Sequence, residues 1–132
     1  MATAKNTAAI TFPTPTGAWS DPTHFSMTYA TDPNYTTDSV ITGALPDNLS
    51  TPGTGDTVQF AAEALVITAT GGGIVEAQWE WLLNNFFNGS YDWTIRLHTA
   101  SPTASNELSG NGYAGVVMNG SDDPWTISDA DA

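Results

Sequence analysis

The sequence predicts a mainly β fold: a single antiparallel β-sandwich or jelly-roll-like domain with one packed α-helix. Three observations lead there. Apolar and polar residues alternate in short runs along most of the chain. Clusters of Pro, Gly, Asn and Asp separate these runs at the short intervals of sandwiches and barrels. The apolar period shifts from two to three and four only once, between 74 and 87. A length of 132 residues suits one domain spanning 1–132, and a chain of this size buries about two-thirds of its unfolded surface without staples.

Taken in order, Ala8, Ile10 and Phe12 alternate in a strand over 7–12 that Pro13 and Pro15 stop, and Phe25, Met27 and Tyr29 mark a second. Asp32-Pro33-Asn34 ends that second strand by fixing φ and removing a ladder donor. Strands over 39–45, 57–61 and 64–69 follow, separated by Pro46-Asp47-Asn48 and Thr51-Pro52-Gly53-Thr54-Gly55. After Gly71-Gly72-Gly73, the residues Val75, Trp79, Leu82, Leu83 and Phe86 form one stripe of a helix over 74–87. Asn88-Gly89 supplies residue types suited to a left-handed C-terminal cap. A strand over 91–99 then points Tyr91, Trp93, Ile95 and Leu97 one way and Asp92, Thr94, Arg96 and His98 toward water. A polar loop occupies 100–112, strands are expected over 113–118 and 125–128, and the acidic tail 128–132 is expected to be mobile.

Fourteen Asp and Glu oppose only Lys5 and Arg96, a formal charge of -12. That sign disfavours nucleic acid and anionic membrane as partners, and no apolar run approaches the roughly 20 residues of a spanning helix. No secretory leader is visible in Met1-Ala2-Thr3-Ala4-Lys5-Asn6. The chain lacks cysteine, which excludes disulfides and thiolate chemistry. Charged residues are only 12% of the total, so Thr, Ser, Asn and Gly supply most of the polarity.

No catalytic, cofactor or metal site is expected. His24 and His98 stand outside any metal-binding spacing and read as residues of polar strand faces. Asp122-Asp123 and the Glu76/Glu80 pair read as solvated charge, and Asp129-Ala130-Asp131 is less pre-organised than an EF-hand loop, which leaves calcium open. Gly71-Gly72-Gly73 precedes a helix but lacks the Lys-Ser/Thr ending of a phosphate cradle. The aromatic pattern is more informative. Trp79 lies within the apolar stripe, whereas Trp81 falls about 145° from its centre beside Gln78, Asn85 and Ala77. Two readings of Trp81 stand side by side: with Ile74 and Ala77 it is the candidate interface, or a loop of the same chain covers it.

Three segments carry a family resemblance. The first is Asn6-Thr7-Ala8-Ala9-Ile10-Thr11-Phe12-Pro13 with Gly17-Ala18-Trp19 and Thr23-His24-Phe25. The second runs from Gly43-Ala44-Leu45 through Gly55-Asp56 to Phe60-Ala61-Ala62-Glu63-Ala64-Leu65, with Glu63 where the family has glycine. The third is Leu97-His98-Thr99-Ala100-Ser101-Pro102 leading to Asn106-Glu107-Leu108-Ser109-Gly110 and Gly112-Tyr113-Ala114, with Gly115 where the family often has arginine. Together these segments resemble a family of small tailed-bacteriophage virion proteins, of the tail fibre and head decoration type. Relative to that family the blocks stand in circularly permuted order, which implies that 122–132 ends near 1–6. The missing arginine implies that Arg96 serves Glu107, with Asp92 as the other candidate partner.

The resemblance implies a non-enzymatic structural protein of the virion, assembled in the host cytoplasm. The leading expectation is a head decoration or cement protein, a homo-oligomer such as a trimer bound to the major capsid protein. The alternative is a tail fibre or receptor-binding module that contacts tail proteins or a host surface receptor. A surface-glycan hydrolase ranks last, because no acid/base pair stands out.

Overall fold

The computed structural model describes residues 2–29, 34–35, 40–45, 52–69, 71–89 and 91–129. Two of the expected turns, at Asp32-Pro33 and Pro46-Asp47-Asn48, lie outside the described residues, as do Thr51 and the last three residues of the acidic tail. The fold is mainly β, with three antiparallel sheets and a single helix among the described residues. The chain divides into two compact units and passes between them at 10/11, 59/60, 92/93 and 117/118.

The first unit comprises Met1–Ile10, Phe60–Asp92 and Met118–Ala132. Its sheet has β1 (Ala2–Asn6) at the centre, flanked by β6 (Val66–Ala69) and β9 (Trp125–Asp129). The register sets Ala4 beside Ile67 and Ile127, and Ala2 beside Ala69 and Asp129. The two ends of the chain are thus paired, as the permuted motif order implies. Helix α1 (Glu76–Phe87) packs on β1 and β9. Ala2 and Ala4 are fully buried, and side chains this small on a central strand allow close approach of a helix. Leu83 and Phe87 are the buried residues of the helix, and the Phe87 ring lies 5.0 Å from that of Trp125.

Several expectations need correction here. The first strand is Ala2–Asn6 and not 7–12; only Ile10–Thr11 (β2) of the expected run is extended, pairing with β5 (Gln59–Phe60), and Ala8 is exposed. Alternation missed β1 because its polar residues are buried with partners: Thr3 Oγ1 bonds Ser128, and Asn6 is satisfied as described below. The helix begins at Glu76, after three positive-φ glycines, with Val75 as its N-cap. Its core-facing line is Leu83 and Phe87, so the Phe86 expected in the core is 47% exposed. The expected stripe of Val75, Trp79, Leu82 and Phe86 lies along the flank, with Val75 exposed and Trp79 and Leu82 half-buried. Asn88 takes φ -113°, not a left-handed cap, because its side chain is engaged elsewhere: Nδ2 donates to Trp125 O at 2.7 Å and Oδ1 accepts Trp125 N–H at 2.9 Å.

The second unit comprises Thr11–Gln59 and Trp93–Val117. It holds most of a sheet ordered β4 (Val40–Ala44), β3 (His24–Thr28), β7 (Asp92–His98), β8 (Val116–Asn119). Phe25, Met27, Trp93, Ile95 and Leu97 occupy one face and are buried. A further cluster joins Trp19 edge-on to Tyr113 at 5.3 Å and Phe12 to Tyr113 at 6.4 Å. Trp19 Nε1 donates to the carbonyl of Asn111, whose backbone is left-handed.

Candidate functional site

Among the described residues, four large exposed apolar side chains, Ile74, Val75, Trp81 and Phe86, lie on the helix or at its entrance. Trp81, 59% exposed, lies two residues and so about 200° around the helix from Leu83. Asn85 beside it donates from Nδ2 to Trp81 O. Ile74, just before the helix, and Ala77 are also exposed. The three residues expected to form the interface candidate are therefore all on the surface. The Val75–Phe86 flank adds apolar area that the sequence had assigned to the core.

The second constellation is buried. The register of β3 and β7 places His24 opposite His98 and Ser26 opposite Arg96, so all four share one face. That face was expected to be wet. It is instead covered: Ser26, Thr28 and His98 have no exposure and Arg96 has 8%. The cover is built by Tyr35 and by residues returning from the 99–115 loop, including Asn106, Glu107 and Tyr113.

Arg96 Nε stands 3.5 Å from Glu107 Oε1. Tyr113 donates its hydroxyl to Glu107 Oε2 at 2.9 Å and accepts the Leu97 N–H at 3.0 Å. Burial pushes the Tyr113 phenol well above its ordinary value of 10, and the Glu107 charge pushes in the same direction. Asp92 is placed differently, accepting the Gly120 N–H at 3.3 Å. Gly115 sits against the stem of Arg96, where an added Cβ would lie 3.2 Å from Arg96 Cγ.

His98 joins Ser26 and Asn106. Its Nε2 is 2.8 Å from Ser26 Oγ and its Nδ1 is 2.8 Å from Asn106 Oδ1. Asn106 Nδ2 donates to Ser101 O and Oδ1 accepts the Thr103 N–H, which fixes the amide orientation. Nδ1 of His98 therefore carries the proton, and the Ser26 hydroxyl donates to Nε2. This hydroxyl–imidazole–amide order matches that of acyl-transfer triads, yet Ser26 and His98 are both wholly buried, and Tyr35 Oη stands 3.4 Å from Ser26 Oγ. In this arrangement the three residues tie a loop to a sheet. Burial lowers the His98 pKa below 6.5; Asn106 and the Glu107 charge pull it up, and Arg96 and His24 oppose them.

Sequence reasoning missed Ser26, Tyr35 and Asn106, and it placed His98 in water. The available signal was that Ser26 and His98 stand on strands of the same alternating pattern, but pairing them requires the register. Among the described residues no group of three or more His, Asp or Glu side chains could hold a metal ion.

A third feature concerns Asn6. Its Nδ2 donates to Ala8 O and Ala61 O, and its Oδ1 accepts the Leu65 N–H, which ties the first motif block to the second. Within this clasp Glu63 adopts φ +65° and donates its N–H to Asn6 O at 2.7 Å. A non-glycine residue there pays the cost of a left-handed backbone.

Comparison of the chain with protein-family models, with curated proteins and with solved structures finds no match.

Proposed function

We propose that the protein is a structural component of a tailed-virus particle, a decoration protein that docks on the head shell through the outward surface of α1. The observation that carries the docking surface is the exposure of Trp81 beside Ile74 and Ala77, on a helix already anchored by Leu83 and Phe87. A ring of this size in water is the composition of an interface core, and the neighbouring Gln78, Asn84 and Asn85 supply a neutral polar rim.

The backbone supports the family resemblance at one telling place. Glu63, which stands where the family has glycine, is left-handed, the conformation glycine adopts without cost. The quoted motif residues also meet in space: Asn6 with Ala61 and Leu65, Phe12 and Trp19 with Tyr113, and His98 with Asn106. Arg96 lies against Gly115 and pairs with Glu107, the pairing that the resemblance implies when 115 carries no arginine.

The test is to locate the protein in purified particles by labelled antibody or by density, and to measure binding to undecorated shells. Hundreds of copies per particle are expected, and a handful at the tail would favour the fibre reading. Trp81→Glu should abolish shell binding while leaving the thermal transition in place. Binding unchanged in that variant would remove this face from the interface. Because the contact is apolar and the chain carries -12, raising ionic strength should preserve or strengthen association by screening repulsion between copies.

A further inference from the structure

We infer that the 99–106 segment is an acid-released latch, with the buried His98–Asn106 contact as its catch. Residues 99–106 are exposed except for half-buried Pro102 and Asn106, so little apolar burial holds the segment down. Its polar ties converge on Asn106. Thr99 N–H donates to Asn106 O, Thr103 N–H to Asn106 Oδ1, Asn106 N–H to Thr103 O, and Asn106 Nδ2 to Ser101 O. The same Oδ1 accepts from His98 Nδ1 and thereby connects the whole segment to β7.

Protonation of His98 adds a proton at Nε2, where Ser26 now donates. The Ser26 hydroxyl can turn to accept that proton and direct its own toward Tyr35 Oη, 3.4 Å away, so hydrogen bonding alone does not oppose the change. Charge does. Among the described residues the titratable and charged groups around the ring are His24 from β3, Arg96 from its own strand, and Tyr35 and Glu107 from the cover. Among the described residues Glu107 is the carboxylate of this group, and it already faces Arg96 and accepts the Tyr113 hydroxyl. Wholly buried, the imidazolium forfeits the water it would have in the open, and it regains that water when the segment lifts. The sign follows: the closed form holds His98 below 6.5 and the open form restores 6.5, so acid favours opening. Below about pH 6.5 the opening constant grows up to about tenfold per pH unit, and it levels off beneath the closed-state value.

Hydrogen exchange on the intact chain reads this directly, with each rate divided by its intrinsic unstructured rate at that pH. Protection at the amides of Thr99, Thr103 and Asn106 should fall up to about tenfold per unit between pH 6.5 and 5.5, while Met27 and Ile95 in the sheet keep theirs. His98→Gln should abolish the acid response and His24→Gln should retain it. Equal protection of the three amides at pH 7.5 and 5.0 would overturn the inference, as would an acid response that persists in His98→Gln. If His98→Gln does not fold, histidine NMR on the unaltered chain decides. The His98 ring must titrate with the same midpoint as segment opening, and midpoints more than a unit apart would assign the opening to Glu107 or another group.

Discussion

Replacing Phe87 with alanine tests where the helix is anchored. Phe87 is 1% exposed and its ring lies 5.0 Å from Trp125, tilted by 36°. Deleting a buried phenylalanine ring costs about 3–5 kcal/mol through lost transfer energy and the cavity left behind. The aromatic contact adds about 0.5–1.5 kcal/mol beyond burial, which places the expected loss toward the upper end, at about 4–5 kcal/mol. Phe86 is the matched control, adjacent in sequence but 47% exposed. With roughly half its area still in water, Phe86→Ala should cost about 1 kcal/mol. Urea denaturation followed by tryptophan fluorescence measures both. Equal losses, or a larger loss at Phe86, would refute the rotation of the helix described above and return the core-facing line to Val75, Trp79, Leu82 and Phe86.

Glu63→Gly should stabilise the fold by about 1 kcal/mol, since it relieves a left-handed backbone at φ +65°; destabilisation in thermal melts would show that the Glu63 side chain matters more than its backbone. A double-mutant cycle of Arg96→Met and Glu107→Gln should give a coupling of about 1–3 kcal/mol, because the pair is largely buried, and zero coupling would dismiss it as a structural pair. Stability should decline above about pH 10, where the unfolded chain ionises Tyr113 and the folded one resists. Tyr113→Phe should flatten that alkaline slope in denaturant midpoints measured against pH, although it starts from lower stability because Leu97 N–H and Glu107 lose a partner.

What the sequence conveyed divides along physical lines. The half-buried strands were legible because Phe25 and Met27, or Trp93, Ile95 and Leu97, alternate with polar residues, and the same face is buried in the structure. The existence of one helix was legible from its period, but its orientation was not. The Phe86-Phe87 doublet puts an apolar ring on two faces about 100° apart, and Glu76 and Glu80 on the packed side argue against the line that is in fact buried. Strand β1 gave no signal because Ala, Thr and Asn reach full burial through small size or hydrogen bonds, not through hydrophobicity. The polar face of β7 was misread for a related reason. Polar alternation marks water only where nothing covers it, and the cover over Arg96 and His98 comes from residues as distant in sequence as Tyr35 and Tyr113. The exposure of Trp81 was legible because its neighbours at helical spacing are polar.

The pairing of β1 with β9 bears on the order in which the molecule assembles. Ala2 meets Asp129 across 127 positions of chain, whereas β3 and β4 meet across the much shorter interval from Thr28 to Val40. Closing a loop of about 120 residues costs about 4 kcal/mol of chain entropy beyond a constant, and that loss precedes any packing gain. The β3–β4 hairpin is thus expected early and the β1–β9 ladder late. Until the ladder forms, Leu83 and Phe87 have only part of their seat, and β1 offers an unpaired edge to other chains. A covalent link between the two ends would shorten that search. With the ladder formed after the transition state, the link should slow unfolding and leave the refolding rate nearly unchanged, while it suppresses aggregation through the unpaired edge.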